Sequence, residues 1–258
     1  MKLEIDLDTG SVHTIDGDTA LPLDLTTPEA FRLMTRAWLR ATWEAKYIYS
    51  MTWMGRPIIQ LPDDLLRLQE LVVAQRPDVI LETGIAHGGS LIFNASLLKA
   101  LGHGHVIGID IDIRAHNRAA IEAHQMYQEG LITMYEGSSI DPDVAAQVIE
   151  QIGPQANVLV VLDANHTKQH VLRELETYSP LVPVGGYIVA SDGGIMAEMA
   201  GGPRTSDDWG WNNPQDAARE FVESHPDFVL SRPDIPFNEG TAVDYVSYFG
   251  NGYIRRIA

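Results

Sequence analysis

Asp163, Asp192 and His166 are the residues whose types and positions carry the most reactive chemistry in the chain. Each Asp closes an apolar, β-like run, Val158-Leu159-Val160-Val161-Leu162 for the first and Gly186 to Ser191 for the second. Two such carboxylates can hold one hard divalent cation, with waters and substrate oxygens completing an octahedron. His166, three residues past Asp163, offers an imidazole, a competent general base near neutral pH. A plainer reading stands beside this one: each Asp can cap the helix that follows, and a loop histidine can simply be solvated.

A second constellation comes earlier. Val79-Ile80-Leu81-Glu82-Thr83-Gly84-Ile85-Ala86-His87-Gly88-Gly89-Ser90 runs from an apolar strand through an acid into a glycine turn, and Ser90 opens a helical pattern. Glycines let the backbone approach a ligand closely, and a helix start offers unpaired N–H groups. The spacing does not fit G-x-G-x-x-G, and the acid precedes the first glycine. Such an acid suits a cofactor with a cationic amino group better than a pyrophosphate. Asp110, roughly 20 residues further on and followed by Ile111, stands where an acid grips ribose hydroxyls in nucleotide-binding α/β sheets. Ser138 and Ser139 end the next strand, where a polar pair meets an adenine ring, and Glu82 would face an aminoacyl tail. The expected ligand is S-adenosylmethionine rather than NAD. Its expected contacts are Glu82, Thr83, Gly84, Gly88, Ser90, Asp110, Ile111, Ser138, Ser139 and Asp163.

These residues need a frame. From Val79 to Asp192 a βα unit recurs, which predicts an α/β fold with a doubly wound, mostly parallel sheet and its ligand at the carboxyl strand ends. Strands are expected at 79–83, 105–110, 131–136, 158–162 and 186–192, with helices from Ser90, over 117–129, after Asp141-Pro142 and over 168–178. The stretch 193–211 reads as a long loop, a common form for a lid, and Asn213-Pro214 opens a further helix. Val243-Asp244-Tyr245-Val246-Ser247-Tyr248 and Tyr253-Ile254-Arg255-Arg256-Ile257 read as a closing antiparallel hairpin. Before the sheet, Leu3, Ile5 and Leu7 alternate ahead of an Asp8-Thr9-Gly10 turn, a small hairpin. Thr26-Thr27-Pro28-Glu29 caps a helix to about residue 45 that carries Phe31, Trp38 and Trp43. We expect residues 1–60 to form a hairpin and helical arm, and 61–258 the main domain. The aromatic load of the arm predicts a homo-oligomer.

Composition removes other classes. The 258 residues carry a formal net charge of −17 without a basic block, which disfavours nucleic acid and anionic membranes as partners. With zero cysteines there is no disulfide, thiolate nucleophile or Cys-ligated metal. No run approaches the roughly 20 apolar residues of a membrane span, and the N-terminus lacks a signal-peptide plan, so the expected location is cytoplasmic.

Leu81 to Phe93, Ile107-Gly-Ile-Asp-Ile-Asp-Ile-Arg, Glu136-Gly-Ser-Ser and Leu162-Asp-Ala-Asn-His-Thr together resemble the cephalosporin hydroxylase (rhamnosyl O-methyltransferase) family. The run from Tyr49 to Leu61 adds to the likeness, which spans residues 45–257. The resemblance implies a Rossmann-like class I methyltransferase fold, S-adenosylmethionine, often Mg²⁺, and O-methylation of a small-molecule or glycoside acceptor. It places Glu82, Gly84, Ser90, Asp110 and Ser139 at cofactor positions and Asp163 and Asp192 at metal positions. His166 falls where more distant catechol-type relatives carry a catalytic lysine. The chain departs from the family at Ser191, where relatives with a well-formed metal site often have an acid. That leaves fewer protein ligands, or an empty site. The family's name keeps a hydroxylase open, for which two histidines and an acid would have to converge. A cofactor-binding subunit without catalysis is the third reading.

Overall fold

In the computed structural model, which describes residues 2–16, 19–240 and 242–258, the N-terminal alternation pairs as expected. Strands β1 (Lys2–Asp6) and β2 (Ser11–Asp16) are antiparallel, with Lys2 opposite Ile15, and β3 (Thr19–Asp24) adds a third strand. Helix α1 (Pro28–Glu44) follows, capped by Thr27, whose hydroxyl accepts from the Ala30 N–H at 3.2 Å. Met1–Lys46 and Ile235–Val246 form one compact unit; Tyr47–Asp234 and Ser247–Ala258 form the other.

The division thus falls at Lys46, not near residue 60 as expected. Residues 47–60 are packed into the second unit. Strands β4 (Met51–Trp53) and β5 (Arg56–Ile58) make a small antiparallel ribbon. The indole N–H of Trp53 donates to Ser96 Oγ at 3.1 Å, and its ring meets Phe93 edge-on at 5.0 Å. Helix α2 (Pro62–Gln75) comes next and buries Leu65, Leu68, Leu71 and Val72.

Seven strands form the central sheet: β6 (Val79–Thr83), β7 (His105–Asp110), β8 (Ile132–Glu136), β9 (Val158–Leu162), β10 (Tyr187–Ala190), β11 (Phe228–Leu230) and β12 (Tyr253–Arg256). Their order is β11-β12-β10-β9-β6-β7-β8, with β6 to β10 parallel and β12 antiparallel to both neighbours. The continuous apolar runs have a simple cause. All five residues of β6 and of β9 are buried, so the strands need apolar side chains on both faces rather than an alternation. The helices between the strands are α3 (Gly89–Leu101), α4 (Ala115–Glu122), α5 (Gln125–Gln128), α6 (Pro142–Ile152) and α7 (Lys168–Tyr178). Two more, α8 (Gly193–Met199) and α9 (Pro214–Ser224), lie beyond β10.

Three local expectations change. The helix expected over 117–129 is interrupted, because the His124 imidazole accepts from the Met126 N–H at 3.2 Å and caps a new turn, α5. The expected loop 193–211 begins as α8. The antiparallel partners of β12 are β10 and β11, not Val243 to Tyr248. The backbone groups of Tyr248 serve elsewhere: its N–H donates to Asp64 Oδ2 at 2.7 Å, and its carbonyl accepts from Gly194 and Ile195. Among the described residues, no helix is long and apolar enough to cross a membrane.

Candidate active site

From β6 the chain winds outward through β7 and β8, then returns to the other side of β6 with β9. The carboxyl ends of β6 and β9 therefore form the switch point where open α/β sheets bind ligands. The two ends touch closely. Asp163 N–H donates to the Thr83 carbonyl at 2.9 Å, and a Cβ on Gly84 would lie 2.1 Å from the Asp163 carbonyl oxygen. A cavity of about 410 Å³ opens here. Its lining follows the strand order: Asp163 after β9, Gly84 after β6, Asp110 and Ile111 at β7, and Gly137, Ser138 and Ser139 after β8, with His170 against Ser139.

The glycine turn is held from several directions. Asp110 Oδ2 accepts from the Ile85 and Ala86 N–H groups at 2.7 and 3.1 Å, while Oδ1 accepts from Asp112 N–H. Asn117 donates to the Ala86 carbonyl and the Arg56 guanidinium to that of His87. Gly88, at φ +81°, is the cap residue before α3, and a Cβ there would strike Ile121. Ile111 is 75% exposed, an apolar surface offered to the cavity.

Of the expected cofactor contacts, Gly84, Asp110, Ile111, Ser138, Ser139 and Asp163 line this cavity. Glu82, Thr83, Gly88 and Ser90 do not. Thr83 is buried, its hydroxyl accepting from Asp163 N–H at 3.3 Å. Ser90 lines a smaller recess with Gly84 and Asp163. Glu82 is 1% exposed and turned toward α3, where its carboxylate accepts from the Ser90 hydroxyl and from Asn94 Nδ2 at 2.8 Å. It supports the cleft from beneath instead of lining it.

Burial pushes the Glu82 carboxyl up to about 7, against the Ser90 and Asn94 hydrogen bonds that pull it down. The unfolded chain gives up this proton near the ordinary glutamate range, below pH 5, and the folded chain holds it to about pH 7. The folded state therefore binds more protons across that window, and stability falls as pH rises through it. Glu82→Gln removes this dependence. Between pH 5 and pH 8 the variant is expected to lose about 2–3 kcal/mol less stability than wild type, measured by chemical denaturation at both pH values. An identical loss in both proteins would refute the assignment.

Asp163, His166 and Asp192 each bring a ligand atom to within 4.8 Å of the others. Asp163 ends β9, and His166 lies in the short turn before α7. Asp192 has a left-handed backbone, φ +63°, at the start of α8, a conformation in which Asp is among the better-tolerated residues. Desolvation holds the carboxyl of Asp163 well above the ordinary range, reinforced by the nearby charges of Asp192 and Glu82. Desolvation also raises Asp192, while His166 opposes the rise. Two like charges brought together out of water favour a cation between them. The two carboxylates fit a hard divalent ion, with the His166 imidazole beside it. Ser191 supplies no acid, and its buried hydroxyl has no partner among the described residues. The cluster holds a single histidine, unlike the two-histidine iron site of a hydroxylase.

Two residues escaped the sequence reading. Gln60 is 5% exposed, and its amide nitrogen makes a long 3.5 Å contact to Asp163 Oδ2. Its signal was its place in the Tyr49–Leu61 run. His170, on α7, gave no signal in sequence, being one polar residue of an amphipathic helix.

Seven strands in this order, with the antiparallel strand second from one edge and the cleft at the switch point, make the class I methyltransferase fold. Solved structures agree: a CmcI apo-structure and a CmcI Mg-SAM structure superpose with TM-scores of 0.54 and 0.53, each at 20% identity. The alignments cover 81% of this chain and 77% and 78% of those chains. The rhamnosyl O-methyltransferase of Mycobacterium leprae (strain TN) is 27% identical over 150 residues, 56% of this chain and 61% of that protein. That of Mycobacterium tuberculosis (strain ATCC 25618 / H37Rv) is 28% identical over 147 residues, 56% of this chain and 57% of its own length. The chain thus spans about six tenths of the length of the curated relatives it matches. The family described as rhamnosyl O-methyltransferase/CmcI matches residues 45–257, and the chain belongs to it.

Proposed function

We propose that the chain is an S-adenosylmethionine-dependent O-methyltransferase that methylates a sugar hydroxyl of a glycosylated small molecule, assisted by a divalent cation such as Mg²⁺. The observation that carries this reading is a shared residue. Asp163 lines the cleft at the switch point and also belongs to the Asp163–His166–Asp192 cluster, so a cofactor and a cation would meet at one carboxylate. The relatives' names and the Mg-SAM neighbour support the same reading.

In this reading Asp110 accepts from the ribose hydroxyls, and Ile111 packs on the nucleobase. Gly84 leaves the amino-acid tail room against Ser90 and Asp163, with Glu82 holding Ser90 from below. Asp163 and Asp192 would hold the cation. When bound, S-adenosylmethionine supplies a methyl group on a sulfonium, and the cation supplies a Lewis acid that favours the alkoxide of a bound hydroxyl. His166 takes the acceptor's hydroxyl proton onto its ring, and the neighbouring Asp192 carboxylate stabilises the imidazolium that results. The walls of the cleft keep donor and acceptor aligned, which accounts for much of the rate when the donor is already reactive.

His166→Ala is expected to lower kcat for methyl transfer to a rhamnoside acceptor by about 10²- to 10³-fold. Affinity for S-adenosylhomocysteine, read by calorimetry, should stay within about threefold of wild type, since the histidine does not line the cofactor side of the cleft. Undiminished turnover in this variant would remove His166 from the base role.

A further inference from the structure

His170, Ser139 and Glu174 form a polar chain that the proposed reaction does not use. Glu174 is 0% exposed, an unusual state for a carboxylate. Its Oε1 accepts from the Ser139 hydroxyl at 2.6 Å, and its Oε2 is buried with no partner among the described residues. Ser139 Oγ also lies 3.1 Å from His170 Nε2, which is itself 3.5 Å from Glu174 Oε1, so both neighbours favour a hydrogen on Nε2. The loop carrying Ser139 is fixed from behind, where the buried Tyr178 hydroxyl donates to the Ser139 carbonyl at 2.5 Å. Burial raises the Tyr178 phenol further above its ordinary value, so it remains a donor.

The direction of these bonds follows from their chemistry. Ser139 has one hydroxyl hydrogen, and the carboxylate takes it. The contact from His170 must then run the other way, with Nε2–H donating to Ser139 Oγ. In the neutral ring that arrangement leaves Nδ1 as a bare acceptor. His170 lines the cleft, with 16% of its side chain exposed, beside Ser138 and Ile111. It meets Ser139 at the exit of β8, two strands from Gly84 at the end of β6, the direction a nucleobase takes when Asp110, at the end of β7 between them, holds the ribose.

We propose that His170 reads the purine of the cofactor: Nδ1 accepts a hydrogen bond from the 6-amino group of adenine. Ser139 and Glu174 are positioning residues that hold the ring in the tautomer able to do so. Ser139, expected from the sequence to touch the adenine with its hydroxyl, instead spends that hydroxyl on Glu174 and acts through His170. This inference rests on the cleft being the S-adenosylmethionine site.

The test compares S-adenosylhomocysteine with its 6-deamino analogue, which carries purine in place of adenine, by calorimetry at pH 8. Wild type should bind the adenine ligand about tenfold more tightly, the worth of one hydrogen bond and an acceptor left unpaired. His170→Ala should bring the two ligands within about twofold of each other. Ser139→Ala should reduce the preference as well, with a changed ¹⁵N signature of the His170 ring reporting the lost tautomer. Thermal unfolding confirms that both variants are folded. Equal affinities in wild type, or a preference that survives His170→Ala, overturn the inference while leaving the cofactor site standing. Failure of S-adenosylhomocysteine to bind wild type at all overturns the functional reading together with it.

Discussion

Asp163→Asn should lower methyl-transfer kcat by about 10³-fold and weaken divalent-cation binding by at least about 100-fold, yet make the protein more stable. Both halves come from the same geometry. Asp163 sits between Asp192 and Glu82, and desolvation and those neighbours disfavour its charge. Such a site is strained when empty of cations and well suited to one, the usual trade between stability and function. Removing one carboxylate relieves the repulsion with little change of shape. A gain of about 1 kcal/mol at pH 8 corresponds to roughly 2–4 °C in Tm for a chain of this size. Cation binding, read by Mn²⁺ calorimetry, and Tm should move in opposite directions. A variant that loses stability and keeps its cation affinity would mean that Asp163 is a structural cap and no ligand.

Gly84→Ala is the second large effect. The residue has φ +89°, and an added Cβ would lie 2.1 Å from the Asp163 carbonyl oxygen, 2.6 Å from its carbon and 3.0 Å from Ala164 Cα. All three atoms are backbone, so no side-chain rotation can relieve the clash. The ends of β6 and β9 must separate, taking the switch-point cleft with them. The expected loss is about 3–5 kcal/mol of stability, with no measurable binding of S-adenosylhomocysteine. Gly102→Ala separates the two contributions. That glycine also has a positive φ, +79°, with nothing within 4 Å of its Cβ position. It should cost only about 1 kcal/mol, the price of the backbone conformation. Equal losses in the two variants by chemical denaturation would show that the close approach at Gly84 carries no weight.

Much of this molecule can be read from its residues, for physical reasons that also mark where reading stops. Strands β6 and β9 are buried on both faces, so Val79 to Leu81 and Val158 to Leu162 must be apolar throughout, and the parallel sheet shows in the sequence. Asp110, Asp163 and Asp192 are legible because they stand where such runs end. Strand β11 is not legible: of its three residues only Phe228 is buried, which leaves no period to detect. Val243 to Tyr248 misleads in the opposite sense. It alternates like a strand, but the buried carboxylate of Asp64 takes the Ser247 hydroxyl and the Tyr248 N–H, and that N–H is not left for a ladder. The direction in which a strand-end side chain turns is also beyond sequence. Glu82 belongs to β6 as expected, yet Ser90 and Asn94, in the first and second turns of α3, draw it under the cleft. His170 and Glu174 share a helix face that looks solvated until α7 is laid against the exit of β8.

Binding of S-adenosylhomocysteine, followed by calorimetry in the wild type and in Asp110→Ala, tests the central claim most directly. We expect one site per chain in wild type and an affinity lower by about 100-fold in the variant, which loses the carboxylate that meets the ribose and that also holds the Ile85–Ala86 turn. No heat from wild type, or equal affinity in the two proteins, would contradict a nucleoside cofactor at the carboxyl ends of β6, β7 and β9.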